Sequence, residues 1–109
     1  ERGTLLDIDA AIAQANAAVE WAPGDPIAVD LQATALLQRA IATGEDADAA
    51  AALQAWQSLV ESDPNRARWQ LQLGRAAAQA DDTDLARSAW TAAAALGSDE
   101  AARLLGELS

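Results

Sequence analysis

Apolar and polar residues follow a helical pattern along the chain, in stretches of about 11 to 18 residues that each end at turn or cap residues. Ala, the strongest helix former, fills these stretches, whereas Pro and Gly lie mainly between them. No stretch shows the pattern of a strand. The pattern predicts an all-α fold of six helices, at Asp7–Trp21, Pro26–Thr43, Ala47–Glu61, Asn65–Ala80, Asp84–Leu96 and Asp99–Leu108.

Turn residues mark the predicted boundaries. Pro23 and Pro26 cannot both continue the first helix, but Pro26 is acceptable at the first position of the second helix. Gly44 suits a helix C-terminus, and Pro64 ends the third predicted helix. The length of 109 residues suits one domain.

Two intervals in the sequence indicate internal repeats. Trp56 and Trp90 lie 34 residues apart, and Pro23 and Pro64 lie 41 residues apart. A fixed period in this range is typical of stacked supersecondary units. The earlier unit is therefore longer than the later one by about seven residues.

Residues 67–100 resemble one tetratricopeptide repeat, a unit of two antiparallel helices with Leu-Gly in the first helix and small and aromatic residues in the second. The matching positions are Leu73-Gly74, Ala86, Trp90, Ala93 and Leu96. Ser98 replaces the proline that usually follows. Residues 94–106 also resemble the related Sel-like repeat, and the sequence does not separate these two relatives.

The resemblance extends over nearly the whole chain and implies an α-α superhelix of antiparallel helix pairs, a tetratricopeptide-like solenoid with a C-terminal capping helix. It implies one domain over residues 1–109, divided into a half repeat (1–25), a long repeat (26–66), a repeat (67–100) and the end of the capping helix (101–109). In such proteins the first helices of successive units line a concave groove that binds a peptide or protein segment.

The groove positions of the resembling proteins correspond here to Asp30, Thr34, Gln38, Arg68, Arg75 and Gln79. Arg68, Arg75 and Gln79 share one helical stripe, and two guanidinium groups with an amide suit a carboxylate or a peptide backbone. The alternative is that these are solvated surface residues. The Lys and Asn set of a tetratricopeptide carboxylate clamp is missing, with Leu71 in one of its positions.

The four tryptophans receive different interpretations. Trp56 and Trp90 occupy equivalent positions, so we expect them in the core. Trp69 belongs either to the core or to the groove, and Trp21 is expected to pack under the turn that follows it. Gly74 in the middle of a good helical pattern predicts a close crossing of two helices, so Gly74→Leu is expected to destabilise the fold.

Charge and composition narrow the functional classes. The net charge of -10 opposes binding to nucleic acid or to anionic membrane surfaces. Residues 1–65 hold 11 acidic residues and 2 arginines, whereas residues 66–109 hold 6 acidic residues and 5 arginines. The second part of the chain therefore tolerates an anionic group better. No stretch is long and apolar enough for a membrane span.

The chain lacks Cys, His, Lys and Tyr, which removes most of the usual catalytic side chains. Three acidic clusters, at Asp7/Asp9, at Glu45/Asp46/Asp48 and at Asp81/Asp82/Asp84, are expected to cap helix N-termini rather than to bind metal, because no calcium-loop spacing is present. We therefore predict no cofactor, no metal and no enzymatic activity.

The sequence favours a protein interaction module that binds a protein or peptide partner, as a scaffold or adaptor. The first alternative is a self-association module that forms a homo-oligomer, and the second is an envelope chaperone resembling helical repeat domains of bacterial cytochrome c maturation. An enzyme based on acidic residues alone is a further reading. We expect a soluble domain of the bacterial periplasm or cytoplasm and, because residue 1 is Glu, a trimmed or processed chain.

Overall fold

The computed structural model describes residues 2–108, with side chains described for residues 7–108. This part of the chain is all-helical and contains no strand, which confirms the all-α part of the predicted fold class. The six helices are α1 (Arg2–Trp21), α2 (Pro26–Thr43), α3 (Asp46–Ser62), α4 (Ala67–Gln79), α5 (Thr83–Ala95) and α6 (Asp99–Leu108). The first and last residues of the predicted domain, Glu1 and Ser109, lie outside the described residues.

The predicted helix boundaries match the observed ones or differ by one or two residues, except at the start of α1, which begins five residues earlier than predicted. At the start of α2, the Asp25 side chain accepts a hydrogen bond from the Ile27 backbone N–H at 3.0 Å, and Pro26 occupies the first turn. Gly44 ends α2 with a φ of 67°, a left-handed conformation in which a side chain would be strained.

Each helix packs against the next one in the chain, and α2 also contacts α4. The short connections between helices favour antiparallel neighbours. The contact between α2 and α4 places two helices from different predicted units side by side, with α3 also packed against both. This arrangement brings the first turns of α2 and α4 together.

The core consists of two groups of buried side chains. The larger group joins α2, α3 and α4 around Trp56, Leu59, Trp69 and Leu73. The smaller group surrounds Trp90 and consists mainly of Ala from α4, α5 and α6. Trp56 and Trp90 are 0% and 4% exposed, which confirms their predicted burial. Ala lets the helix backbones approach, and the tryptophan rings fill the remaining space.

Gly74 of α4 lies directly against the Trp90 side chain of α5. A Cβ atom at this position would overlap the indole ring of Trp90. The same ring is held in place by its Nε1–H, which donates to the Leu71 carbonyl at 3.1 Å. The predicted close crossing at Gly74 is therefore confirmed.

Two local predictions were wrong. Trp21 is 91% exposed and does not pack under the turn, because the chain leaves α1 directly after it. Asp7 and Asp9 do not cap a helix N-terminus, because α1 begins at Arg2 and both residues lie inside the helix. Asp9 instead forms an ion pair with Arg39 of α2 at 3.1 Å.

The other two acidic clusters lie at helix N-termini, as predicted. Asp82 caps α5 by accepting from the Leu85 backbone N–H at 3.1 Å. Glu45 precedes α3 but makes no capping hydrogen bond through its side chain. Asp48, in the first turn of α3, accepts from the Thr43 hydroxyl at 2.6 Å and pairs with Arg39 at 3.3 Å. Arg39 thus links α1, α2 and α3.

Candidate partner-binding site

The structure brings together three of the six predicted site residues. Asp30 and Thr34 lie one turn apart on α2, and Arg68 reaches them from the first turn of α4. The contact between α2 and α4 creates this proximity across 38 residues of sequence. Together with the neighbouring Trp69, these residues form a hydrogen-bonded group that we call the Asp30 network.

Every oxygen of the Asp30 carboxylate is occupied within this network. Oδ1 accepts from Arg68 Nη2 at 2.9 Å and from the Thr34 hydroxyl at 3.2 Å. Oδ2 accepts from Arg68 Nε at 3.2 Å and from the Trp69 indole N–H at 2.7 Å. Arg68 Nη2 also donates to the Thr34 hydroxyl at 3.1 Å. The Arg68–Asp30 pair has the two-pronged geometry that makes such contacts specific.

These contacts stabilise the ionised carboxylate. Partial burial acts to raise the pKa of Asp30, but the hydrogen bonds from Arg68 and Trp69, the Arg68 charge and the Thr34 hydroxyl outweigh it, so the pKa lies below its ordinary value. The hydrogen bond to Asp30 correspondingly raises the pKa of Arg68. Asp30 is thus a fixed anion that joins α2 to α4.

The other three predicted residues lie apart from this network. Arg75 pairs with Glu100 of α6, and its Nη1 lies 3.4 Å from the Gln72 side-chain oxygen. Gln38 and Gln79 are exposed and form no side-chain hydrogen bond among the described residues. Arg68 and Arg75 therefore do not present two unpaired guanidinium groups, since each has a carboxylate partner on a neighbouring helix.

A cleft of about 400 Å³ opens beside the Asp30 network, between the first turns of α2 and α4. It is lined by Pro26, Ile27, Asp30, Leu31, Thr34, Arg66, Arg68 and Trp69. We call it the α2–α4 cleft. Trp69 is 3% exposed, whereas the side chains of Ile27 and Leu31 are 78% and 52% exposed. The cleft therefore combines exposed aliphatic residues and two arginines with a buried tryptophan at its base.

Arg66 borders the cleft at the start of α4. Its guanidinium carbon lies 4.4 Å from the centre of the Trp69 ring, a cation–π distance. Its Nε donates to Asp63 at 3.0 Å, and this hydrogen bond, followed by one from the Asn65 backbone N–H, lowers the pKa of the exposed Asp63 carboxyl. The guanidinium thus lies across the aromatic part of the cleft.

Sequence reasoning missed four residues of this cleft, namely Pro26, Ile27, Leu31 and Arg66. Ile27 and Leu31 are spaced by four residues, and with Thr34 they share the helix face that also carries Asp30. This spacing could have identified both residues as part of the site, because large aliphatic side chains beside a predicted groove position favour binding of an apolar partner. Arg66 gave no such signal, since it precedes α4 and reaches the cleft only through the fold.

Asp30→Asn is expected to lower the free energy of unfolding at pH 7 by about 1–2 kcal/mol, because a neutral amide replaces the carboxylate that bonds Arg68 and Trp69. The lowered pKa means that the ionised carboxylate stabilises the fold above the unfolded pKa of about 4 and that this stabilisation is lost as pH falls through the folded pKa. The difference between wild type and variant should therefore shrink from pH 7 to pH 3, as measured by urea unfolding.

The matched control is Glu61→Gln, which also neutralises one acid, at an exposed position that forms no ion pair among the described residues. Its difference from wild type should stay within about 0.5 kcal/mol across this range. A difference for Asp30→Asn that is constant with pH would contradict a role for the ionised carboxylate.

No protein-family model matches the chain, and a search of curated proteins finds no match. The structure itself defines the class of protein. It is an all-helical protein whose consecutive helices pack against one another, with a partly apolar cleft between α2 and α4. Within residues 2–108, no helix is long and apolar enough to cross a membrane. The described residues contain no cluster of acidic side chains suited to holding a metal ion.

Proposed function

We propose that the chain is an α-α repeat domain of the tetratricopeptide type that binds a peptide or protein segment in the α2–α4 cleft. Two features support the repeat assignment. Trp56 and Trp90 are buried in the second helix of their respective predicted units. The predicted first helices, α2 and α4, contact each other as the resemblance implies.

The observation that carries the binding proposal is the exposure of Ile27 and Leu31 beside Trp69. Exposed aliphatic side chains next to an aromatic ring favour a partner, because covering them removes apolar surface from water. Arg66 and Arg68 add polar groups that orient what binds. Aromatic residues and arginine are also the residue types most enriched at binding hot spots.

Binding fits this cleft better than catalysis. Asp30 is the carboxylate among the residues that line it, and both of its oxygens accept hydrogen bonds from the protein itself. A general base must accept a proton from the substrate, and a carboxylate with a lowered pKa and four donors is a poor acceptor. The network instead fixes the position of Arg68 at the edge of the cleft.

The proposal is tested by selecting binders to the immobilised chain from a random displayed peptide library and measuring the affinity of the synthesised peptides. Leu31→Asp should weaken binding about 10-fold or more, because it places a charge where an apolar side chain would be covered. Isothermal titration calorimetry gives the dissociation constants.

Ile41→Asp provides the matched control. Ile41 is 57% exposed and lies on the same helix, but it does not line the cleft. This variant should bind the selected peptides within about 2-fold of wild type. Failure to select any peptide, or equal losses in the two variants, would contradict binding in the α2–α4 cleft.

A further inference from the structure

Trp21 is an unusually exposed aromatic residue. It ends α1 with 91% of its surface accessible and precedes Pro26, which lines the α2–α4 cleft, by five residues. A tryptophan buries a large apolar surface when it is covered, and tryptophan is enriched at interfaces because its N–H also finds a partner there. An indole exposed to this degree leaves a large apolar surface in water, which a partner could cover.

The residues around the α2–α4 cleft indicate the chemistry of its occupant. The exposed side chains of Ile27 and Leu31 suit a bulky apolar or aromatic group. Arg66 uses its Nε for Asp63, and neither of its terminal nitrogens makes a hydrogen bond among the described residues. Arg68 Nη1 likewise has no acceptor there, because the contacts to α2 use Nε and Nη2. An apolar group with a carboxylate beside it fits this combination.

The chain itself exposes a segment of this kind. Glu20 directly precedes Trp21, is exposed, and takes part in no ion pair among the described residues. Asp25, four residues after Trp21, lies in the turn before α2. The exposed end of α1 therefore carries both an indole and a carboxylate, on consecutive residues that point in different directions from the helix. These groups complement the apolar and cationic parts of the α2–α4 cleft.

We propose that the α2–α4 cleft accepts Trp21 of a second copy of this chain, with Glu20 of that copy placed at Arg66 and Arg68. This inference rests on the proposed function, since it takes the cleft to be a binding site. Each copy carries both the projecting residue and the cleft, so two copies can insert reciprocally about a two-fold axis. A foreign segment would then compete with Trp21 for the cleft.

The pairing is weak and reversible. Two inserted indoles cover about 150–250 Å² each, and with the rims of both clefts the interface stays below the roughly 1,200 Å² of stable complexes. The net charge of -10 on each copy opposes association and is screened over about 8 Å at physiological salt. Raising the ionic strength weakens this repulsion and also the attraction between Glu20 and the two arginines, so at high salt the apolar insertion of Trp21 should carry the association.

Sedimentation velocity of the chain at concentrations from about 10 μM to 1 mM tests the proposal. The mass should rise with concentration toward twice 11.3 kDa for wild type. Trp21→Ala and Leu31→Asp should each associate more weakly, with the apparent dissociation constant raised about 10-fold or more. The control Ile41→Asp should associate like wild type, although it too adds a charge at an exposed position of α2.

A mixture of the two variants provides the sharper result. Trp21→Ala keeps an intact cleft, and Leu31→Asp keeps Trp21. In a mixed pair, Trp21 of the Leu31→Asp copy can enter the cleft of the Trp21→Ala copy, whereas neither variant alone can form an insertion. The mixture should therefore associate more strongly than either variant, and less strongly than wild type. Contact through a general apolar surface predicts no such recovery.

Three results would overturn the proposal: a monomeric wild type at all concentrations, association of Trp21→Ala equal to that of wild type, or a mixture no stronger than its components. Both substitutions are at exposed positions, and circular dichroism melting curves that match wild type show that each variant is folded. The binding of selected peptides decides the proposed function separately. If the chain stays monomeric but binds peptides, and Leu31→Asp weakens that binding, the occupant of the cleft is a foreign segment and not a second copy.

Discussion

Gly74→Ala is expected to lower the free energy of unfolding by about 1–3 kcal/mol, although Ala is the better helix former by about 1 kcal/mol. The added Cβ would overlap the Trp90 ring, which cannot move aside freely because it is 4% exposed and bonded to the Leu71 carbonyl. Gly74→Leu should prevent a stable fold altogether. Urea unfolding followed by circular dichroism measures the effect.

Gly106→Ala is the matched control for this prediction. Gly106 also lies inside a helix, α6, and a Cβ placed there meets nothing within 4 Å. The same substitution should therefore stabilise the chain by up to about 1 kcal/mol, since only the helix propensity changes. If both variants were stabilised, the close approach of Gly74 and Trp90 would not exist in solution.

Trp56→Ala is expected to cost about 3–5 kcal/mol, a large share of the total stability of a domain of this size. Trp56 is fully buried in the larger core group, in contact with residues of α2, α3 and α4. Its removal would leave a cavity between three helices that Ala side chains cannot fill. The unfolding midpoint in urea and the thermal midpoint should both fall sharply.

Phenylalanine at the two core tryptophans separates packing from hydrogen bonding. The Trp56 N–H has no hydrogen-bond partner among the described residues, so Trp56→Phe loses ring volume but no hydrogen bond. Trp90→Phe also loses the bond to the Leu71 carbonyl and should cost about 1 kcal/mol more. Equal costs for the two variants would contradict this difference between the indole environments.

The helices and much of the core were predictable because local signals dominate them. Pro26, Gly44 and Pro64 lie at or next to helix ends, where φ restriction and glycine conformations act within a few residues. The shared period of Trp56 and Trp90 predicted equivalent burial, which the structure confirms. The part of α1 before Asp7 was not predicted.

The candidate site was predicted only in part, since it depends on contacts between helices. Asp30, Thr34 and Arg68 were predicted as positions of one groove, and the structure brings them together, but their mutual hydrogen bonds were not foreseen. Arg75 was expected beside Arg68 on a binding stripe, whereas Glu100 pairs with it from α6. A stripe on one helix shows which residues share a face, but the neighbouring helices determine which of them remain available.

The sequence by itself determined the all-α class, the number of helices and the buried positions of Trp56 and Trp90, because helix propensity, chain breaks and repeat spacing are properties of short segments. Only the tertiary structure decided that Trp21 is exposed, that Arg68 and Arg75 carry ion partners, and that Ile27 and Leu31 border a cleft with Trp69. The physical reason is that exposure and charge pairing depend on which helices meet, and the docking of α4 against α2 joins residues 38 positions apart.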